Sequence, residues 1–317
     1  MPVGRSLRKL AGRSRLTRQA WDTARATRDA WRAWPKPVLP ADRLFPPWPN
    51  EGEEPTFPGL VSQASTDMQV RAREYRAWGE RLRVRDIYVH RKQWEWFYIA
   101  QALEESGQIR PGARGIGFGV GTEPLTPWFA SQGCSIVATD YPGGEHAADW
   151  SSTGELAHSL EDLNAEGICD PEEFARLVSF LPVDMRQLPT VDEPFDFAWS
   201  SCAFEHLGSI ADGLQFLEDH LDLLKPGGVG VHTTELCVSS VTDTVDHDPT
   251  VLFRRSDLEA FAAHIAPKAE VAPLNFHLGG NPNDRYVAPQ HGFTNVMLKY
   301  AQGEHVTTSF GLIIRKR

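Results

Sequence analysis

Cysteine is scarce in this chain of 317 residues, and its spacing matches no common framework. Cys134, Cys169, Cys202 and Cys237 include no C-x-x-C pair, which argues against a zinc framework or disulfide scaffold and for a reducing, cytoplasmic setting. Long apolar runs are also missing: none approaches the ~18 residues that a membrane-crossing helix needs. No apolar segment follows the basic start, so a cleaved secretory leader is not expected. Positive charge is in short supply overall, the net balance being −10. That argues against a catalytic domain gripping nucleic acid with a broad basic face. Internal repeats and low-complexity tracts are absent as well. What remains is an ordinary globular composition, 41% hydrophobic and 23% charged, enough for one large core.

The charge that is present is unevenly placed. Through Lys36 there are ten Lys or Arg against Asp22 and Asp29, a local balance of +8 within a chain of net −10. Leu10, Trp21, Ala24, Trp31 and Trp34 recur there at near-helical spacings. Residues 1–36 therefore read as a basic arm, either an amphipathic helix lying on the anionic inner face of a membrane or a solvated extension. Residues 37–64 follow as a linker. Pro37, Pro40, Pro46, Pro47, Pro49, Pro55 and Pro58 suit extended chain wrapped over a surface. Helical patterning resumes over 65–109, with one helix from Ser65-Thr66-Asp67 to Leu82 and a second from Asp86 to Gly107. Trp94-Glu95-Trp96-Phe97-Tyr98 in the second is either a core stripe or an acceptor wall.

Residues 110–317 read as an α/β unit, and Arg114-Gly115-Ile116-Gly117-Phe118-Gly119-Val120-Gly121-Thr122-Glu123 opens it. This is a strand running into a glycine turn and then a helix. Gly117, Gly119 and Gly121 would let the backbone turn sharply and approach a ligand. Asp140, 23 residues after Gly117 and at the end of the next strand, is placed to accept hydrogen bonds from a ribose. A dinucleotide fingerprint starting at Gly117 needs glycine where Thr122 stands, and one starting at Gly115 needs it at Val120. Both fail, so a different adenosine-containing cofactor is expected.

The order G-x-G-x-G resembles motif I of class I S-adenosylmethionine-dependent methyltransferases. Three later segments fall in that superfamily's order: Val183-Asp184-Met185-Arg186, Phe195 to Leu207, and Leu223-Leu224-Lys225-Pro226-Gly227-Gly228. The resemblance covers about 110–235. It implies a Rossmann-like, doubly wound, mostly parallel seven-stranded sheet in the order 3-2-1-4-5-7-6, with a helical N-terminal extension covering the site. It further implies S-adenosyl-L-methionine as cofactor, held by Gly117, Gly119, Gly121, Asp140, Asp184, Met185 and Ser201. The C-terminal segments 295–300 and 307–314 match the antiparallel edge of such a sheet. Residues 267–292, rich in proline and glycine, read as an irregular insertion.

An activated methyl group asks the protein for a positioned nucleophile and, for a hydroxyl, a base. His206, after the fourth strand, is the leading candidate, with Glu205 beside it and His232 and Glu235 ending the fifth strand. Cys202 reads as a small buried residue or a site lining. Glu205-His206 resembles the pair at which some methyltransferases hold magnesium, but Cys202 replaces a further glutamate and is a poor magnesium ligand, so no metal is assigned. Asn275, His277, Asn281, Asn283, Asp284 and Arg285 offer hydroxyl-binding groups, with His291 also in the insertion. The expected acceptor is a sugar hydroxyl on a glycan or lipid-linked saccharide. A soluble natural product or aromatic hydroxyl is the alternative, and a non-catalytic cofactor-binding subunit the alternative of another class.

Overall fold

The computed structural model describes residues 48–141, 160, 162–289 and 294–317, all within one compact unit. The basic arm, residues 37–47 of the proline-rich linker and His291 lie outside the described residues. Seven strands form the sheet: β1 (Arg114–Phe118), β2 (Ser135–Asp140), β3 (Val178–Pro182), β4 (Phe195–Ser201), β5 (Leu224–Cys237), β6 (Lys299–Gln302) and β7 (His305–Lys316). Their order is 3-2-1-4-5-7-6, parallel throughout except that β7 runs antiparallel to β5 and β6. This is the topology that the resemblance implied. Short strands widen one side of it. Ser62–Ala64, at the end of the linker, pairs with β7, so that segment finishes inside the sheet.

Alternation along β1 explains its glycines. Neighbouring side chains on a strand point to opposite faces, so Ile116 and Phe118 enter one core while Gly115 and Gly117 face the other. β4 pairs Phe197 with Gly115 and Trp199 with Gly117. A Cβ at Gly117 would lie 2.3 Å from Cζ2 of Trp199. The indole covers this glycine, and Phe129 packs on Trp199 with ring centroids 4.8 Å apart. Phe129 belongs to helix α4 (Leu125–Ser131), one of the longer helices among the described residues. The others are α1 (Asp67–Arg71), α2 (Arg73–Arg81), α3 (Arg91–Glu105), α5 (Pro171–Leu177), α6 (Ile210–Asp219) and α7 (Arg255–Ile265). On the opposite face Phe118 meets Phe216 of α6 edge-on at 5.1 Å.

Several elements depart from expectation. The helix expected from Ser65 to Leu82 breaks at Ala72, whose backbone is extended. Its first turn is pinned elsewhere: Asp67 accepts from Asn283 Nδ2 at 2.8 Å, and its N–H donates to Asp284 Oδ1 at 2.7 Å. α3 begins at Arg91 rather than Asp86, because Val89–His90 pairs with Val296–Met297. α7 begins at Arg255, where the Asp257 carboxylate accepts from the N-cap Arg254 N at 2.8 Å. The segment 267–292 is not wholly irregular: Ala269–Val271 pairs with β7 and Pro282–Arg285 makes a helical turn.

The glycine packing on β1 can be tested by a single methyl group. Gly117→Ala should overpack the Trp199 contact and lower unfolding stability by about 1–3 kcal/mol. Urea denaturation with an unchanged midpoint would show that the indole is free to move aside.

Candidate active site

Parallel α/β sheets bind ligands beyond the carboxyl ends of their strands, and a cavity of about 400 Å³ opens there. The β1–α4 turn supplies Gly119, Gly121, Thr122 and Glu123; the end of β2 supplies Asp140 and Tyr141. Val183 to Arg186 follow β3, and Ser201, Cys202, Ala203, His206 and Leu207 follow β4. α3 closes the rim with Lys92 and Trp96. Of the aromatic run on that helix, Trp94, Phe97 and Tyr98 are fully buried core, and Trp96 is the one that reaches the cavity.

The cofactor residues expected from sequence separate here. Gly119 and Gly121 have φ of +57° and +49°, a left-handed conformation that favours glycine. A Cβ on Gly119 would come 2.9 Å from Ala203 Cβ. Gly117 is the correction: it lies within β1, outside the cavity lining, and its missing side chain makes room for Trp199. Asp140 joins the turn to the sheet, Oδ2 accepting from Gly121 N at 3.1 Å and Oδ1 from Tyr141 N at 2.8 Å. Asp184 lines the cavity but is gripped by Arg186, whose Nη2 donates to Oδ2 at 2.7 Å and Nε to Oδ1 at 3.0 Å. Those hydrogen bonds hold its carboxyl below the usual range. Met185 is almost wholly buried, and Ser201 Oγ donates to Glu95 Oε2 at 3.1 Å. The open glycine turn with an acid at each of the next two strand ends fits an adenosine-type cofactor.

The three catalytic candidates have different surroundings. His206 ends a short 3-10 turn, Phe204–His206, and lines the cavity. Its Nδ1 stands 2.9 Å from the carbonyl oxygen of Pro249, which can only accept, so that nitrogen carries the proton and Nε2 is the basic one. Burial lowers the ring's pKa to about 4 and keeps it neutral. Glu205 is fully buried behind it, its Oε1 4.0 Å from His206 Nε2. Burial, then the charge of Glu235, pushes the Glu205 carboxyl well up. His232 is a correction. It sits in the middle of β5 on the face covered by α6, fully buried against Phe216 and His220, with Nδ1 2.9 Å from Ser200 Oγ. Its ring packs on the face of the sheet that Phe204 and Phe216 cover and does not line the cavity.

Sequence reasoning missed the buried ion network beneath the site. Arg91 Nη1 pairs with Glu235 Oε1 at 2.6 Å and with Glu95 Oε1 at 2.9 Å, and Lys92 Nζ with Glu95 Oε2 at 3.1 Å. Burial would raise the Glu95 carboxyl, but Lys92, Arg91 and the Ser309 hydroxyl outweigh it and hold it at about 2. Glu123 goes the other way: burial lifts it to about 8 against the pull of Lys92, 4.0 Å away. The available signal was Arg91 and Glu95 one helical turn apart in an aromatic stripe, where a charge pair is out of place unless buried and matched. Cys202 Sγ and oxygens of Glu205 and Glu235 converge within 4.8 Å of one another. Arg91 already pairs with Glu235 in that cluster, and burial keeps the Cys202 thiol protonated.

Comparison with known proteins agrees with this geometry. Residues 116–231 match the family described as "Methyltransferase domain". No curated protein matches the chain in sequence. Among solved structures, it is similar to a putative sarcosine dimethylglycine methyltransferase from Galdieria sulphuraria, at 22% identity and TM-score 0.34 over 45% of this chain and 46% of that one. The CcbJ methyltransferase from Streptomyces caelestis is 13% identical, covering 68% of this chain and 87% of that one at TM-score 0.40. A SAM-dependent methyltransferase from Aquifex aeolicus is 14% identical, covering 75% and 97% at TM-score 0.41. Less than half of the Galdieria chain is spanned, and at these scores the assignment rests on the domain match. Residues 116–231 are therefore assigned as a methyltransferase domain, with S-adenosyl-L-methionine as its cofactor.

Proposed function

We propose that this protein transfers the methyl group of S-adenosyl-L-methionine to a hydroxyl of a small-molecule acceptor. The observation that carries the reading is one cavity onto which the glycine turn, Asp140 and His206 all open. The cofactor supplies a methyl group activated on sulfur, which keeps the C–S bonding pair as the acceptor oxygen forms its new bond to carbon. The protein is left to orient that oxygen and take its proton. Gly119, Gly121, Asp140, Asp184, Met185 and Ser201 hold the cofactor in this reading, and Nε2 of His206 receives the proton. Acid–base groups clustered at the cavity favour an enzyme over a non-catalytic subunit.

The acceptor has two readings. A saccharide hydroxyl is supported by the Trp96 ring in the cavity with Lys92 and Thr122 beside it, and by the basic arm. The polar groups expected to bind sugar, however, are spent inside the protein. Asn275 Nδ2 donates to Glu53 O, Asn281 and Asp284 cap their own helical turn, and Asn283 donates to Asp67. His277 Nδ1 accepts from Gly279 N. That favours the second reading, a natural-product or aromatic hydroxyl. Four free, buried thiols support a cytoplasmic setting. No helix among the described residues is long and apolar enough to cross a membrane, and the arm is the segment that would bring the enzyme to one.

Three outcomes follow from this reading. Asp140→Ala should weaken S-adenosylhomocysteine binding by roughly 5- to 150-fold without unfolding the protein, and calorimetric titration with unchanged affinity would remove Asp140 from the site. His206→Gln should lower turnover by ~10² to 10⁴. Because the neutral ring persists down to about 4, wild-type turnover carried by His206 should vary little between about pH 5.5 and 7 and fall below that. A rate that climbs across that interval would point to another base. Finally, the full chain should sediment with anionic vesicles at low salt and be released by deleting residues 1–36, since each basic residue near such a surface contributes about 1 kcal/mol. Full-length protein left in solution would sink the membrane contact.

A further inference from the structure

Two histidines outside the cavity meet in the core between β5 and α6. His220 opens the 3-10 turn His220–Leu223 that follows α6, and His232 lies in the middle of β5. Both are fully buried, with ring centroids 4.5 Å apart and the planes edge to face. His220 Nδ1 stands 2.7 Å from the carbonyl oxygen of Leu217, which can only accept, so that nitrogen carries the proton. His232 Nδ1 stands 2.9 Å from Ser200 Oγ. The two Nε2 atoms are buried with no hydrogen-bond partner among the described residues. Both close over Gly230, where a Cβ would lie 2.4 Å from the first and 2.9 Å from the second.

An imidazolium donates from both ring nitrogens, and a buried N–H without an acceptor is costly. Neither Nε2 has one. Nor do the acids nearby offer themselves: Asp196 of β4 is taken by Lys225 and Arg110, and Glu218 of α6 by Lys268 and His264. Asp219 and Asp222 are exposed, and Glu205, beside Phe204, accepts from Thr234 instead. Lys316 of β7, held on Leu224 O at 2.8 Å, bears on His220 with the wrong sign. Burial lowers His220 to about 4 against its hydrogen bond to Leu217, and burial, then the neighbouring His220, sets His232 well below the ordinary range. Phe204 links the pair to the site. It meets His232 edge-on at 6.4 Å and Phe216 at 6.3 Å, and it opens the turn whose last residue, His206, lines the cavity.

We infer that His220 and His232 form an acid-sensitive latch on the seam between α6 and β5: a proton on either ring is accommodated only by parting α6 from the sheet, which carries Phe204 and the cavity lining after β4 with it. This adds a pH response to the fold, whichever acceptor is methylated. Each ring takes its proton in the open form, where histidine titrates near about 6.5. Closure is therefore indifferent to pH above that value and weakens as pH falls from there toward about 4. The opening equilibrium rises by up to about tenfold per ring per pH unit.

Hydrogen exchange of the full chain between about pH 7.5 and 5, each rate corrected for the intrinsic pH dependence of amide exchange, reads that opening. Protection over 210–223 and 229–234 should fall by up to ~100-fold per pH unit below about 6.5, and should stay lower than that of β1 and β2. Saturating S-adenosylhomocysteine, which binds the closed cavity, should restore it. His220→Gln and His232→Leu each remove one titrating ring, and each should take about a factor of ten per pH unit off that slope. A flat wild-type profile, or seam amides protected no less than β1 and β2 at every pH, overturns the inference whether or not the variants fold. So does an unchanged slope in both variants. Protection that S-adenosylhomocysteine fails to restore overturns the link to the cavity.

Discussion

Arg91 and Lys92 carry two positive charges into the interior on α3, and much of the active-site end is arranged around matching them. Glu95 answers both from the next helical turn, and Glu235 reaches Arg91 from β5. Ser309 of β7 donates to Glu95 at 2.6 Å, and Thr307 of the same strand donates to Glu235 Oε2 at 3.0 Å. A buried pair of this kind adds little net stability, but losing one partner strands a charge and costs about 3–5 kcal/mol. The network therefore acts as a register device: α3 cannot slide along β5 and β7 without breaking it. Trp96, the neighbour of Glu95, is held at the cavity rim as a result.

The same burial gives the acids and bases of the site different protonation states. Glu95, paired with two cations, stays ionised, while Glu123 and Glu205 are pushed up because each meets less compensating charge. His206 is kept neutral by desolvation, with its tautomer set by a backbone carbonyl. A neutral imidazole with a fixed basic nitrogen is what proton removal from a hydroxyl requires. His232, fully buried and also kept neutral by burial, is held in the core by Ser200 and the rings around it. Placement alone separates the two histidines.

Two cavities lie side by side at this end of the sheet and share one wall. The first is built by backbone: a glycine turn and the ends of β1, β2 and β4, positions that any sequence keeping this topology would reproduce. The second is built by side chains from α2, α4 and the segment before α5, elements that can change without disturbing the sheet. Trp96 and Glu123 belong to both.

Much of this was legible along the chain. The glycine turn, Asp140 at a strand end and the carboxyl-edge position of His206 are local patterns, and the sheet order accompanied the resemblance that they carried. What local pattern could not convey was which glycines do which work. Gly117 and Gly119 look alike in sequence, and only the Trp199 ring, brought across from β4, makes the first a packing residue. Nor could it tell that Asn283 and Asp284 are consumed by Asp67, more than two hundred residues earlier. The pairing of Arg91 with Glu235 is of the same kind, because a buried charge takes whatever partner the fold brings within reach. The sequence by itself determined the sheet, the turn and the family of chemistry, since each is encoded in contiguous residues. The tertiary structure decided the ion network, the fate of each histidine and the second cavity, since each depends on side chains that meet only after the sheet has closed.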